Sequence, residues 1–215
     1  MLKRTVLLTI ILMFFVAIGG AFATSPTSEP VKKPEVKVVV PVPVEKIVSE
    51  KVQIGYGKID FPYSEGNWNN VQNARRALEF VNGTIIPPGE EFSYNIVVGE
   101  RTYEKEFVDG YNSQDQLVVG GGVCRGSSVI HLGMLEAQAN GYALKTIERH
   151  PHNPACHYLP EGMDAMVQWG SCDFRFLNST EYPIKIGTQT TYLEKETRIE
   201  VWIVQLQQKT VIEYQ

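Results

Sequence analysis

The stretch VVGGGVCRGSSVIHLGM, residues 118–134, runs three consecutive glycines straight into a cysteine and then into an apolar segment with almost no polar stripe. Ser127 and Ser128 stand where a helix would begin, and Gly141 stands where it would end. A helix that lacks a polar stripe is a buried one. What flanks it decides the class of fold around it.

Upstream lies NWNNVQNARRALEFVNG, residues 67–83. Val71, Ala74, Leu78 and Val81 recur there at helical spacing, with Asn67 to Asn70 as cap candidates and Gly83 as terminator. Between the two helices, TIIPPGEEFSYN breaks at Pro87-Pro88-Gly89, and Phe92 and Tyr94 alternate with polar neighbours as on a short strand. Beyond Ala143 the texture changes. YALKTIER, AMVQW, FRFLN, PIKIGTQTTY and RIEVWIV are short, aromatic and β-branched. Two helices followed by a run of strands predict an α+β fold with a largely antiparallel sheet.

The first residues read differently. Lys3 and Arg4 precede an apolar run from Val6 to Ala23, and Ala21-Phe22-Ala23 is a cleavage pattern. Residues 1–24 are expected to be a cleaved signal peptide or an uncleaved membrane anchor; both put the rest of the chain outside the cytoplasm, secreted or held at the membrane. Residues 25–54, with Pro26, Pro30, Pro34, Pro41 and Pro43, read as an extended Pro/Val/Lys-rich linker. The valines Val38 to Val40 leave room for part of it to lie on the domain as an edge strand. Residues 55–215 then form a single domain of ordinary size. With 20 Lys and Arg against 24 Asp and Glu, the net charge is −4, and no basic patch interleaved with aromatics is present. Nucleic acid is not an expected partner.

The chemistry centres on Cys124. A triple glycine allows positive φ or very close backbone approach, and the cysteine follows at a helix start. The unpaired amides and helix dipole at that point favour an anion, which predicts a lowered thiol pKa. Gly121 and Gly122, with Arg125 and Ser127, are the candidate oxyanion- and substrate-binding residues. Set against this, a cysteine beside a tight turn also serves as simple packing. A nucleophilic thiol needs a base. His150 and His152 lie two apart in IERHPHNPACHY and would point the same way if extended, and His131 would share the helix face of Cys124. Asp164, Asp173 and Glu148 are candidates to orient the base. Cys156 and Cys172 form a candidate disulfide, leaving Cys124 as the odd thiol. The spacing of Cys124, His150, His152, Cys156 and His157 matches no standard zinc pattern, so no metal and no cofactor are expected.

The segments NARRALEFVNGTIIPPGEEFSYNIVVGERT, GYNSQDQLVVGGGVCRGSSVIH and ERHPHNPACHYLPEGMDAMVQWGSCDFRFLNSTEYPIKI, in this order, resemble the VanW family. That family takes its name from an accessory protein of vancomycin-resistance clusters. The resemblance spans roughly residues 70–190, and its most specific marks are the Gly-Gly-Gly-Val-Cys and Glu-Arg-His-Pro-His blocks. It implies a cell-envelope setting and L,D-transpeptidase activity on peptidoglycan stem peptides, with Cys124 as nucleophile and His150 or His152 as base. A carboxypeptidase differs only in that water, rather than an amine, resolves the thioester. Where members carry Gln after the cysteine this chain has Arg125, a residue suited to a stem-peptide carboxylate. The competing expectation is a non-catalytic peptidoglycan-binding or glycopeptide-resistance accessory module.

Overall fold

The structure, a computed structural model, describes residues 43–63 and 67–214. The expected signal peptide or anchor lies outside the described residues, and among those residues no helix is long and apolar enough to cross a membrane. The order of elements is β1 (Pro43–Pro62), α1 (Trp68–Val81), β2 (Ile85–Ile86), β3 (Glu91–Ser93), α2 (Tyr94–Val98), β4 (Asp109–Tyr111), β5 (Leu117–Val119), α3 (Cys124–Ala139), β6 (Leu144–Glu148), β7 (Arg175–Asn178), β8 (Ile184–Tyr192) and β9 (Glu196–Tyr214). The fold is α+β, and every strand pair is antiparallel.

The main sheet runs β1-β9-β8-β2, a second runs β3-β7-β6, and β4 and β5 form a hairpin. Along β8 and β9 alternate residues turn inward, so Ile184, Ile186, Ile199, Val201 and Ile203 build one wall of the core. The predicted stripe of α1 (Val71, Ala74, Leu78, Val81) packs inward, and α1 contacts α3. The buried helix expected from the sequence is α3, which lies on β1 and β9. It approaches β1 so closely that a Cβ on Gly55 would fall 2.1 Å from the Gly133 carbonyl oxygen, and one on Gly57 2.1 Å from that of Val129. Two side-chain-free positions on the strand are thus what bring the helix backbone down onto the sheet.

Three expectations are corrected. Residues 43–54, read as linker, are the first part of β1 and pair with β9 from Val204 to Tyr214. A proline is tolerated there because β1 is an edge strand and Pro43 is its first residue. Tyr94 opens α2 rather than continuing a strand, because the Ser93 hydroxyl caps the helix by accepting from the Ile96 amide. The AMVQW segment makes only isolated bridges, His150 to Met166 and Gln168 to Cys172.

Candidate functional site

Cys124 is the first residue of α3, and the loop before it is shaped by contact with α1 and the β4–β5 hairpin. A Cβ on Gly121 would lie 2.0 Å from the Gly110 carbonyl oxygen, and one on Gly122 2.4 Å from the Asn70 Cβ. Gly122 also adopts φ +94°. Asn70 and Asn73 of α1 reach across to backbone groups of the hairpin and loop, Asn73 donating to the Gly121 carbonyl at 2.9 Å. The helix start is held from the other side by the buried Tyr94, whose hydroxyl donates to the Val123 carbonyl at 3.0 Å. A rigid mount for residue 124 is the result.

The face of α3 that follows is polar at Cys124, Ser127, Ser128 and His131, and one extended segment takes up all four. The Cys124 thiol meets the Val167 carbonyl at 3.3 Å and the Val167 amide at 3.4 Å. Ser127 donates to the Ala165 carbonyl at 2.6 Å, and Ser128 accepts from the Ala165 amide at 3.0 Å. His131 Nδ1–H donates to the Met163 carbonyl at 2.8 Å. The alternate residues of the segment face the other way, where the Met166 amide donates to the His150 carbonyl at 2.7 Å. Residues 163–167 are therefore an extended segment with α3 on one edge and the histidine run on the other, and the two runs together form a strap across the polar face of α3.

That arrangement settles several candidate roles. His150 and His152 stand across that segment from Cys124, and none of the hydrogen bonds of the described residues joins either histidine to the thiol. Each has its own carboxylate instead. His150 Nε2 meets Glu148 at 3.0 Å with the His150 side chain 44% exposed, and His152 Nδ1 meets Asp164 at 2.5 Å with the two side chains 8% and 3% exposed. Asp164 thus meets a histidine. Asp173 does not: it accepts from the Asn95 and Phe174 amides and from the Ser93 hydroxyl, and so fastens the start of α2.

Part of the expected oxyanion site is spent within the fold. The Gly121 amide donates to the Val118 carbonyl, those of Val123, Arg125 and Gly126 donate three residues back, and the Ser127 hydroxyl is spent on Ala165. Arg125 is buried, with its guanidinium 5.3 Å from the Phe61 ring and 5.2 Å from the Tyr158 ring, so it packs instead of meeting solvent. The thiol pKa moves opposite to expectation. Burial pushes Cys124 from 9.0 up to about 11, outweighing the Val167 amide and the positive charges of Arg101 and Arg125.

All three cysteines are free, so the expected Cys156–Cys172 disulfide is absent. Cys172 is buried close enough to Cys124 to influence its charge, whereas Cys156 lies with His152 and Asp164, ligand atoms of the three falling within 4.8 Å of one another. The separate neighbourhoods explain the absence.

Sequence reasoning missed Arg101. It is largely buried beside Tyr94, 5.6 Å from that ring, and its charge is felt by Cys124. Its Nη1 donates to the Gly99 carbonyl, while Nε and Nη2 are buried without a partner. No motif marks it, since the pairing depends on the loop after α2 folding back under Gly120. Tyr158, which stands near Ser128, Cys124 and Arg125, was equally invisible.

No solved structure matches the chain. The chain is 34% identical over 131 residues to the uncharacterized protein YoaR of Bacillus subtilis, covering 58% of this chain and 40% of that one. It is 27% identical over 135 residues to the vancomycin B-type resistance protein VanW of Enterococcus faecalis, covering 59% and 46% respectively. The chain spans less than half the length of either relative. The family model described as VanW like protein matches residues 69–202, from the first turn of α1 into β9, and so takes in the glycine loop, the strap and both histidine–carboxylate pairs: the chain belongs to the VanW family.

Proposed function

We propose that this protein works in the cell envelope as a cysteine-dependent acyl transferase on peptidoglycan stem peptides, an L,D-transpeptidase with Cys124 as the nucleophile. The observation that carries the reading is the setting of that thiol. Cys124 sits on a rigid mount at a helix start, beside a buried guanidinium, Arg101, that has two donors without partners. An unpaired buried cation is costly unless an anion visits it. In the proposed cycle the Cys124 S–H proton passes to solvent, the thiolate attacks a stem-peptide carbonyl, and Arg101 takes up the charge of the thiolate and then of the tetrahedral oxyanion. The C–N bond breaks, and the leaving amine takes a proton from a histidine of the 150–152 run. An amine of a second stem then resolves the thioester, giving its proton back to that histidine and releasing the thiolate. His150 is the exposed member and can reach solvent-borne substrate; His152 is committed to Asp164. For attack, the thiol has to exchange Val167 for the substrate. The name of the Enterococcus relative, a vancomycin-resistance protein, supports a wall substrate.

A second reading has its own observation. The thiol bonded twice to Val167 and shifted up to about 11 is what a packing cysteine looks like, and it favours a non-catalytic wall-binding module. Intact-mass analysis during incubation with purified muropeptides separates the two. Acyl transfer predicts an adduct on Cys124 and cross-linked product, both lost in Cys124→Ala, with Arg101→Gln slower by about 100-fold or more. Binding of muropeptide with neither adduct nor product establishes the accessory module instead.

A further inference from the structure

The strap beneath α3 brings together three side chains that the acyl-transfer scheme does not need. His152 precedes a turn, Cys156 follows it, and Asp164 comes from the extended run that packs on α3. One ring nitrogen, one sulfur and one carboxylate oxygen from these residues lie within 4.8 Å of one another. We propose that His152, Cys156 and Asp164 form a binding site for a divalent transition-metal ion, zinc in the first instance, with a fourth position left to water.

The chemistry of the set favours this over a plain hydrogen-bonded cluster. Imidazole, thiolate and carboxylate together make a borderline-soft donor set, which suits zinc and not magnesium or calcium. Tetrahedral zinc with ordinary bond lengths holds its donor atoms roughly 3.4 Å apart. The existing separations, 2.5 Å between His152 and Asp164 and none beyond 4.8 Å, are of that order. Asp164 is nearly fully buried, and a buried carboxylate is retained where it has a cation to hold. On binding, the Cys156 S–H bond breaks, the sulfur keeps the electron pair to coordinate the metal, and the proton goes to solvent. The three ligands join the histidine run to the 163–167 run, so an occupied site fixes the strap that covers Cys124.

The test uses cobalt(II), which reports its ligands through colour. The chelator-stripped full chain, kept reduced, is expected to bind one equivalent of cobalt(II) and to show a thiolate-to-cobalt charge-transfer band together with the visible bands of a tetrahedral ion. Zinc should displace it. Cys156→Ser should lose the charge-transfer band, His152→Gln should lose stoichiometric binding, and Cys124→Ser should keep both signals. The last variant removes the nucleophile of the proposed reaction, so failure of that reaction leaves the metal result intact. Absence of one-to-one binding, or a charge-transfer band that survives Cys156→Ser, overturns the proposal.

Discussion

Cys124 is pulled in two directions by its surroundings. The helix start and the guanidinium of Arg101 favour the thiolate, while removal from water favours the thiol, and the second effect is the larger. Alkylation of Cys124, read separately from the other cysteines by peptide mapping, is therefore expected to be slower in the folded protein than in urea at neutral pH. Its rate should climb about tenfold per pH unit and level off near 11. Arg101→Gln should slow it further, because a positive charge that favours the thiolate is lost. The same shift has a consequence for stability. The folded thiol titrates near 11 and an unfolded one near 9.0, so protonated Cys124 stabilises the fold throughout the range below 9, and that contribution disappears as pH rises from 9 to 11. Urea midpoints of the wild type and Cys124→Ser measured across that window should converge as pH rises. Parallel curves would mean that the thiol is exposed in solution.

At the scale of elements, the readable features were those written in local periodicity. The stripe of α1, the unrelieved apolar run of α3 and the alternation in β8 and β9 all depend on residues a few positions apart, and all three elements form where the pattern puts them. Cys124 at a helix start and Asp164 beside a histidine were legible for similar reasons, one from the glycine signal and one from the density of ionisable groups. The separation of Cys124 from the histidines was not. It depends on a single extended segment, 163–167, offering its two edges to different neighbours, a tertiary fact with no periodicity of its own. Nor did any pattern reveal why β1 carries Gly55 and Gly57, since the reason lies some 75 residues further on in α3. That contact yields a direct prediction. In Gly57→Ala the new methyl lands 2.1 Å from a helix carbonyl oxygen that cannot turn aside. Overpacking of that kind should cost about 3 kcal/mol in urea unfolding. Gly187→Ala in β8, where the nearest heavy atoms lie 4.0 Å away, should change the midpoint little. An equal loss in both would show that strand glycines matter here for something other than the approach of α3.

For the whole molecule, the unexpected feature is the length of the β1–β9 ribbon. It pairs from Pro43 with Tyr214 down to Pro62 with Glu196, yet its outer half, Pro43–Lys51 with Leu206–Tyr214, is largely exposed on both faces. The core starts only at Ile54, with Ile59 and Phe61 following on the same strand. A two-stranded ribbon with no covered face adds little stability by itself, so the outer half depends on the body and not the reverse. The two halves of β1 should therefore respond differently to truncation. Removing residues 1–50 strips the partner from the end of β9 but leaves every core residue in place; the shortened chain should keep its near-ultraviolet circular dichroism and a melting temperature within a few degrees of the parent. Removing residues 1–60 deletes Ile54, Ile59 and the floor on which α3 rests, and should abolish cooperative unfolding. The strand freed on β9 by the shorter deletion carries Val211 and Ile212 on an open edge, so self-association that rises with concentration is expected of that chain. Loss of the folded signal after removal of residues 1–50 would mean instead that the outer ribbon belongs to the cooperative unit, and the boundary of the domain would move back to Pro43.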